Sequence, residues 1–287
     1  MITLKNLHRL LFVQQVVLLT FHLAKRLKMK SSSKAQEIQD LFLHLIKVNG
    51  KCVSETKDSF LVRLANTNQD LKIRKAPSSD LKVFGQVFTG FEYQKLMQLY
   101  EAFFKEQPFN LIDAGANVGY TTALFHAQYP NIETVTIEPS SENFKMLQHN
   151  TASHKNQTTA IQGGLWSSNS YLKIVKDFRD QSDWAIRVEE TDEITDLQAF
   201  TMQTIMDKNA LSEVAILKMD IEGAESEVFA VNADVTFLEN IKCIAIEIHD
   251  EFECRSRIEE YLKSYGFTWQ QVGELTIGFN TNFLTKS

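Results

Sequence analysis

Two short stretches carry side chains whose types and spacing suit chemistry. The first runs Ile112-Asp113-Ala114-Gly115-Ala116-Asn117-Val118-Gly119. An apolar run ends in an acid, a turn with two glycines follows, and helix-like spacing begins at Tyr120. That order suits a nucleotide-type ligand at the carboxyl end of a parallel strand. Gly115 and Gly119 let backbone come close with no Cβ in the way. A dinucleotide fingerprint would need further glycines at 117 and 120, where this chain has Asn117 and Tyr120. That disfavours a pyrophosphate; a smaller, less anionic ligand such as S-adenosylmethionine fits. The second stretch is Asp220-Ile221-Glu222-Gly223-Ala224-Glu225, directly after the apolar run Val214–Met219. Carboxylates there would orient an acceptor hydroxyl, take its proton or face a cationic cofactor. A helix dipole suffices to account for Glu225. His249 follows the apolar run Cys243–Ile248 and reads either as a general base near neutral pH or as a structural histidine.

The elements that must position these groups are legible between them. Glu133–Glu138 alternates like a strand and ends in an acid, nineteen residues after Gly119. An acid at that spacing accepts hydrogen bonds from both ribose hydroxyls. Pro139 stops the strand beside it, and Ser140 caps a helix over Ser141–Asn150. Thr158–Gln162 is a third strand, Val214–Met219 a fourth and Cys243–Ile248 a fifth. A helix over Phe252–Tyr265 stops at Gly266, and Thr268–Val272 with Thr276–Phe283 close the set as antiparallel strands.

Taken together, these motifs resemble the FkbM-type methyltransferases. The matching pieces are Ser79-Asp80-Leu81-Lys82-Val83-Phe84 with Glu92-Tyr93, Ile112 to Gly119, Ile137-Glu138-Pro139, and Leu217-Lys218-Met219-Asp220-Ile221-Glu222-Gly223-Ala224-Glu225. They cover roughly residues 73–250. The resemblance implies an α/β fold: a Rossmann-like seven-stranded methyltransferase sheet with helices on both faces. It implies an S-adenosylmethionine-dependent O-methyltransferase acting on a hydroxyl of a sugar, glycolipid or natural product. Asp113, Gly115, Asn117 and Gly119 then hold the amino-acid end of the cofactor, Glu138 with Pro139 the ribose side, and Leu165 with Trp166 the adenine wall. Asp220 or His249 manages the hydroxyl proton, with Glu222 beside them. A divalent metal on Asp220, Glu222 and His249 is chemically conceivable, since oxygen-rich sites suit Mg²⁺, but no ligand spacing compels it and the expected site contains none. Two alternatives stay open: a non-catalytic protein that keeps the fold and dimerises through residues 1–48, and a nicotinamide-dependent oxidoreductase, which the missing glycines disfavour.

Composition bounds the rest. A net charge of −6 argues against general nucleic-acid binding. The chain has three cysteines, Cys52, Cys243 and Cys254, with no metal-ligand spacing, a count that suits a reducing, cytoplasmic setting. Residues 1–34 carry Lys5, Arg9, Lys25, Arg26, Lys28, Lys30 and Lys34 and no acid. The apolar run Leu10–Ala24 within them is shorter than the roughly 20 residues a membrane span needs, and no cleavage site follows it. It reads as a helix packed on the core or on a second subunit, or as a basic helix lying peripherally on an anionic membrane. Residues 1–75 are expected to hold this helix, a second helix and a hairpin, residues 76–108 a helical adapter, and residues 109–287 the catalytic domain. An insertion over 167–204 carries short strands at Tyr171–Val175, Trp184–Val188 and Phe200–Gln203, with Asp183 and Trp184 as candidates to face the acceptor.

Overall fold

The computed structural model describes residues 4–65, 69–175 and 187–284. The chain divides into two compact units, Met1–Gly90 and Phe91–Ser287.

The first unit opens with a 3₁₀ turn (Leu4–Arg9), then α1 (Phe12–Arg26) and α2 (Ser33–Lys47). Ser32 caps α2 by accepting from the Ala35 amide, which satisfies one of the orphan donors of the first turn. Ile38, Leu41, Phe42 and Leu45 recur at helical spacing and are buried. On α1 the spacing serves two faces. Gln14, Leu18 and Phe21 are buried, while Phe12, Val16, Leu19, Leu23 and, just beyond the helix, Leu27 stand exposed. Strands β1 (Lys51–Glu55), β2 (Ser59–Arg63) and β3 (Asp70–Arg74) form an antiparallel sheet in that order. The expected hairpin is thus a three-stranded sheet, because Lys51–Glu55 adds an edge strand that its polar sequence concealed. Helix α3 (Asp80–Thr89) follows. Asp80, within the Ser79–Phe84 motif, is buried and accepts from the Arg74 amide and guanidinium, so this motif acts structurally. The adapter expected over 76–108 is two helices, α3 and α4 (Glu92–Phe104), and the boundary between units falls between them.

The second unit follows α4 with β4 (Asn110–Ala114), α5 (Tyr120–Gln128), β5 (Glu133–Glu138), α6 (Ser141–Asn150), β6 (Thr158–Gln162), β7 (Gly164–Leu165), β8 (Tyr171–Val175), β9 (Arg187–Thr191), β10 (Ala199–Phe200), α7 (Met202–Lys208), β11 (Val214–Met219), α8 (Glu225–Val228), β12 (Ile241–Glu247), α9 (Arg255–Ser264), β13 (Phe267–Val272) and β14 (Leu275–Asn280). Its central sheet has seven strands in the order β13-β14-β12-β11-β4-β5-β6. The five strands from β12 to β6 run parallel, and β14 and β13 close the edge antiparallel. Parallel strands covered on both faces read as continuous apolar runs, as β11 and β12 do. Side chains still alternate. In β12, Ile244 and Ile246 join the core beneath α7 and α9, whereas Cys243 and Ala245 join the core beneath α4 and α5. The expected α/β sheet with helices on both faces is therefore present.

The insertion differs from its expected form. Tyr171–Val175 is a strand, but its partner is Arg187–Thr191. Phe200–Gln203 is not a strand: Thr201 caps α7 through the Thr204 amide, and only Ala199–Phe200 pairs, in parallel with β7. Asp183 and Trp184 lie outside the described residues.

Candidate functional site

The strand order reverses between β11 and β4, and ligands of open α/β sheets bind outside the carboxyl ends of strands at such a switch. The turn after β4 lies there. Gly115 (φ +77°) and Gly119 (φ +82°) adopt left-handed backbone, as does Asn117 (φ +49°), a residue that tolerates it. A Cβ on Gly115 would fall 1.7 Å from the Asp220 carbonyl oxygen. The closeness that Gly115 permits is therefore to the turn after β11.

The amides of this turn are occupied by protein. Gly115 and Ala116 both donate to the Ile137 carbonyl, Gly119 donates to Ala116, and Asn117 donates to Glu138 Oε2 at 2.8 Å. Glu138 Oε1 accepts from the Ser140 amide at 2.9 Å. Glu138 thus ties the turn to the end of β5, and each of its oxygens retains a second lone pair. Pro139 ends that strand, and Ser140 caps α6 through the Asn143 amide, as expected. Burial pushes the Glu138 carboxyl up to about 7, against the pull of the Ser140 and Asn117 amides. A turn with four of its amides engaged, beside a carboxylate, is a poor phosphate cradle, which disfavours the nicotinamide alternative. The same donor set fits a cationic, phosphate-free ligand.

Beneath the turn lies an ion pair that sequence reading passed over. Lys218 is nearly buried; its ammonium donates to the Gly115 carbonyl at 2.7 Å and the Ala114 carbonyl at 3.3 Å, and lies 3.3 Å from Asp113 Oδ1. Asp113 is fully buried, and its other oxygen accepts from Thr122 at 2.7 Å. Burial opposes the charge on Lys218, but Asp113, Tyr93 and Asp220 outweigh it and hold the ammonium above its ordinary pKa. Asp113 therefore fastens the turn and α5 from below. The signal was present in the sequence: a lysine inside Val-Ala-Ile-Leu-Lys-Met must be paired, because lone charges are almost never buried.

The third cluster stands at the tips of β11 and β12. Asp220 is 30% exposed. Glu222 is largely buried and holds a left-handed φ of +53°, a costly conformation for a residue with a Cβ. His249 is 3% exposed. Donor atoms of these three residues lie within 4.8 Å of one another. Glu225, which a helix dipole seemed enough to explain, has a larger role. It is fully buried, accepts from the Ile221 and Gly223 amides, and meets His249 Nδ1 at 3.2 Å. It thereby shapes the Asp220–Gly223 turn and orients the imidazole. Glu247, unremarked in the sequence, lies 3.8 Å from His249 Nε2. Burial and then Asp220 push its carboxyl up to about 8. For His249 burial favours the neutral ring, but Glu222 and Glu225 prevail and raise it to about 11. The carboxylates on both sides of the ring thus favour its charged form.

Leu165 and Trp166, the expected adenine wall, are both buried. Leu165 is 1% exposed and belongs to the core with Ile137, Met202 and Met219, while Trp166 joins a smaller cluster with Leu172 and Leu197. Both therefore contribute to packing.

The sequence over residues 113–268 matches the family model described as the methyltransferase FkbM domain. The chain belongs to the FkbM methyltransferase family. Its cofactor is accordingly S-adenosylmethionine, which agrees with the phosphate-free chemistry of the turn. A comparison with curated proteins finds no match. Solved structures that resemble this FkbM-domain protein include the precorrin-6y C5,15-methyltransferase of Geobacter metallireducens, 10% identical over 64% of this chain and 86% of that one, with a TM-score of 0.38. The plantazolicin methyltransferase BpumL in complex with SAH is 12% identical over 65% and 68%, with a TM-score of 0.36. A methyltransferase of Geobacter sulfurreducens is 13% identical over 65% and 79%, also at 0.36. The family assignment rests on the matched residues, not on these distant likenesses. Among the described residues, no helix is long and apolar enough to cross a membrane.

Proposed function

We propose that this protein transfers a methyl group from S-adenosylmethionine to a hydroxyl oxygen of a sugar, glycolipid or natural product. The observation that carries the reading is the cluster of Asp220, Glu222 and His249 at the tips of β11 and β12, across a shared backbone contact from the Gly115 turn. A hydroxyl is a weak nucleophile and needs its proton removed as it attacks. Asp220 is the carboxylate of this cluster with the most solvent access, and it takes that role. The hydroxyl oxygen attacks the methyl carbon, the S–CH₃ bonding pair stays on sulfur, and the neutral thioether S-adenosylhomocysteine leaves. The cofactor supplies the activated methyl; the protein contributes position and a proton acceptor. A methyl-transfer assay across hydroxyl-bearing glycans, glycolipids and polyketides, read by mass spectrometry, should place the new methyl on oxygen. A methyl on nitrogen or carbon would overturn the O-directed reading.

Glu138 is the ribose ligand in this scheme, and its charge makes binding pH-dependent. Ribose hydroxyls donate, so they favour the ionised carboxylate, whose pKa of about 7 lies above the ordinary carboxyl value. Cofactor binding then releases a proton, and affinity rises as pH climbs from about 6 to 8. Lys218 and Asp113 are the charged groups that act on Glu138, the first lowering and the second raising its pKa. Glu138→Gln removes the charge-assisted bonds, each worth about 1.5–3 kcal/mol, so calorimetry should show affinity about 100-fold weaker and flat with pH. A variant within threefold of the wild type would remove Glu138 from the site.

The apolar side of α1, with Lys25, Arg26, Lys28 and Lys30 at its carboxyl end, supports peripheral binding to an anionic lipid surface, a cytoplasmic leaflet in this reading. Such binding suits a lipid-linked acceptor. The full chain should float with vesicles rich in anionic lipid, lose that in high salt, and lose it in a Phe12→Ser, Leu19→Ser, Leu23→Ser variant. Absent flotation, together with a dimer that this variant dissociates, would give the face to a second copy.

A further inference from the structure

We infer that Asp220, Glu222 and His249 form a binding site for one hard divalent cation of the Mg²⁺ or Mn²⁺ class. Three features of the cluster carry this. One donor atom from each residue lies within 4.8 Å of the other two, a span that a cation with oxygen and nitrogen ligands at roughly 2.0–2.4 Å bridges after small side-chain rotations. His249 is held at Nδ1 by Glu225, while its buried Nε2 has no hydrogen-bond partner among the described residues and faces Glu222 Oε2 at 3.4 Å. A carboxylate on one ring nitrogen that aims the other is the usual outer-sphere arrangement of a metal-binding histidine. Finally, the carboxylates outnumber the cations. Glu222, Glu225 and Glu247 each place a carboxylate oxygen within 3.8 Å of one imidazole, with Asp220 beside them.

Two carboxylates and one imidazole leave coordination positions open, and Asp220 is the exposed side through which a small ligand enters. The use of the cation in catalysis rests on the O-methyl reading above. An acceptor hydroxyl bound to it becomes more acidic. Asp220 gives one oxygen to the cation and keeps the other to take the proton, while the hydroxyl oxygen forms its bond to the methyl carbon and sulfur keeps the S–CH₃ pair.

The test is a Mn²⁺ titration of the full chain followed by electron paramagnetic resonance, in which bound Mn²⁺ loses the sharp signal of the free ion. The expected result is one Mn²⁺ bound at submillimolar concentration, displaced by excess Mg²⁺. Asp220→Asn should weaken it at least tenfold, and His249→Gln should abolish it. Asp220 is part-exposed, and Lys218, 3.8 Å from it, is also held by Asp113 and two backbone carbonyls, so Asp220→Asn keeps the test decisive even if His249→Gln fails to fold. No binding at millimolar Mn²⁺, or equal binding in wild type and Asp220→Asn, would overturn the inference. S-adenosylmethionine is titrated into the same samples. Cofactor binding without Mn²⁺ binding defeats only the cation site. Mn²⁺ binding without cofactor binding defeats the methyl-donor reading and leaves the cation site standing.

Discussion

Gly115→Ala should leave the second unit without a stable native state, or lower its stability by more than about 4 kcal/mol. The added Cβ would stand 1.7 Å from the Asp220 carbonyl oxygen and 2.7 Å from its carbon. Both are backbone atoms and cannot rotate away. Relief requires the loop after β4 to part from the loop after β11, yet Asp220 donates to the Ala114 carbonyl at 3.1 Å and Lys218 clasps the Ala114 and Gly115 carbonyls. The residue also sits at φ +77°, which costs a non-glycine residue roughly 1–2 kcal/mol more. All three tryptophans, Trp166, Trp184 and Trp269, lie in the second unit, so denaturant titration followed by tryptophan fluorescence reads this unit selectively. A loss below about 1 kcal/mol would mean that the two loops separate without cost, contrary to the packing.

Lys218→Met is expected to cost about 3–5 kcal/mol by the same measurement. Replacing one partner of a buried ion pair strands the other charge in a medium that cannot solvate it. Here the stranded group is Asp113, fully buried with only Thr122 left as donor. The Gly115 carbonyl loses its donor as well, and the Ala114 carbonyl loses one of two. The partner change decides the cause. Asp113→Asn in the Lys218→Met background removes the stranded charge and should recover a sizeable part of the loss, about 1–3 kcal/mol. Additive losses in the double variant would show that Lys218 acts through its carbonyl bonds alone. Because these carbonyls belong to the turn proposed to hold the cofactor, Lys218→Met should also weaken cofactor binding in whatever fraction stays folded.

Much of the catalytic unit was legible because local rules and global fold agree there. The runs at 110–114, 214–219 and 243–248 are apolar enough to read as buried strands, 133–138 alternates like one, and the helix after Ser140 begins where its cap predicts. The errors fall where local signals are weak or conflict. Lys51–Glu55 is polar and became a strand only because β2 offered it an edge. Phe200–Gln203 has strand-like residues, yet Thr201 caps a helix there.

By itself, the sequence determined the family, the phosphate-free character of the cofactor turn and the identity of the acids at the strand tips, because each depends on residue type at short spacing along the chain. Tertiary structure decided what those groups do to one another. Lys218 and Asp113 are 105 positions apart in sequence and 3.3 Å apart in space; Glu225 reaches His249, 24 positions on, at 3.2 Å. Whether a carboxylate is a base, a counter-ion or a ligand depends on its burial and on the charges within a few ångströms. Those distances exist only once β4, β11 and β12 lie side by side.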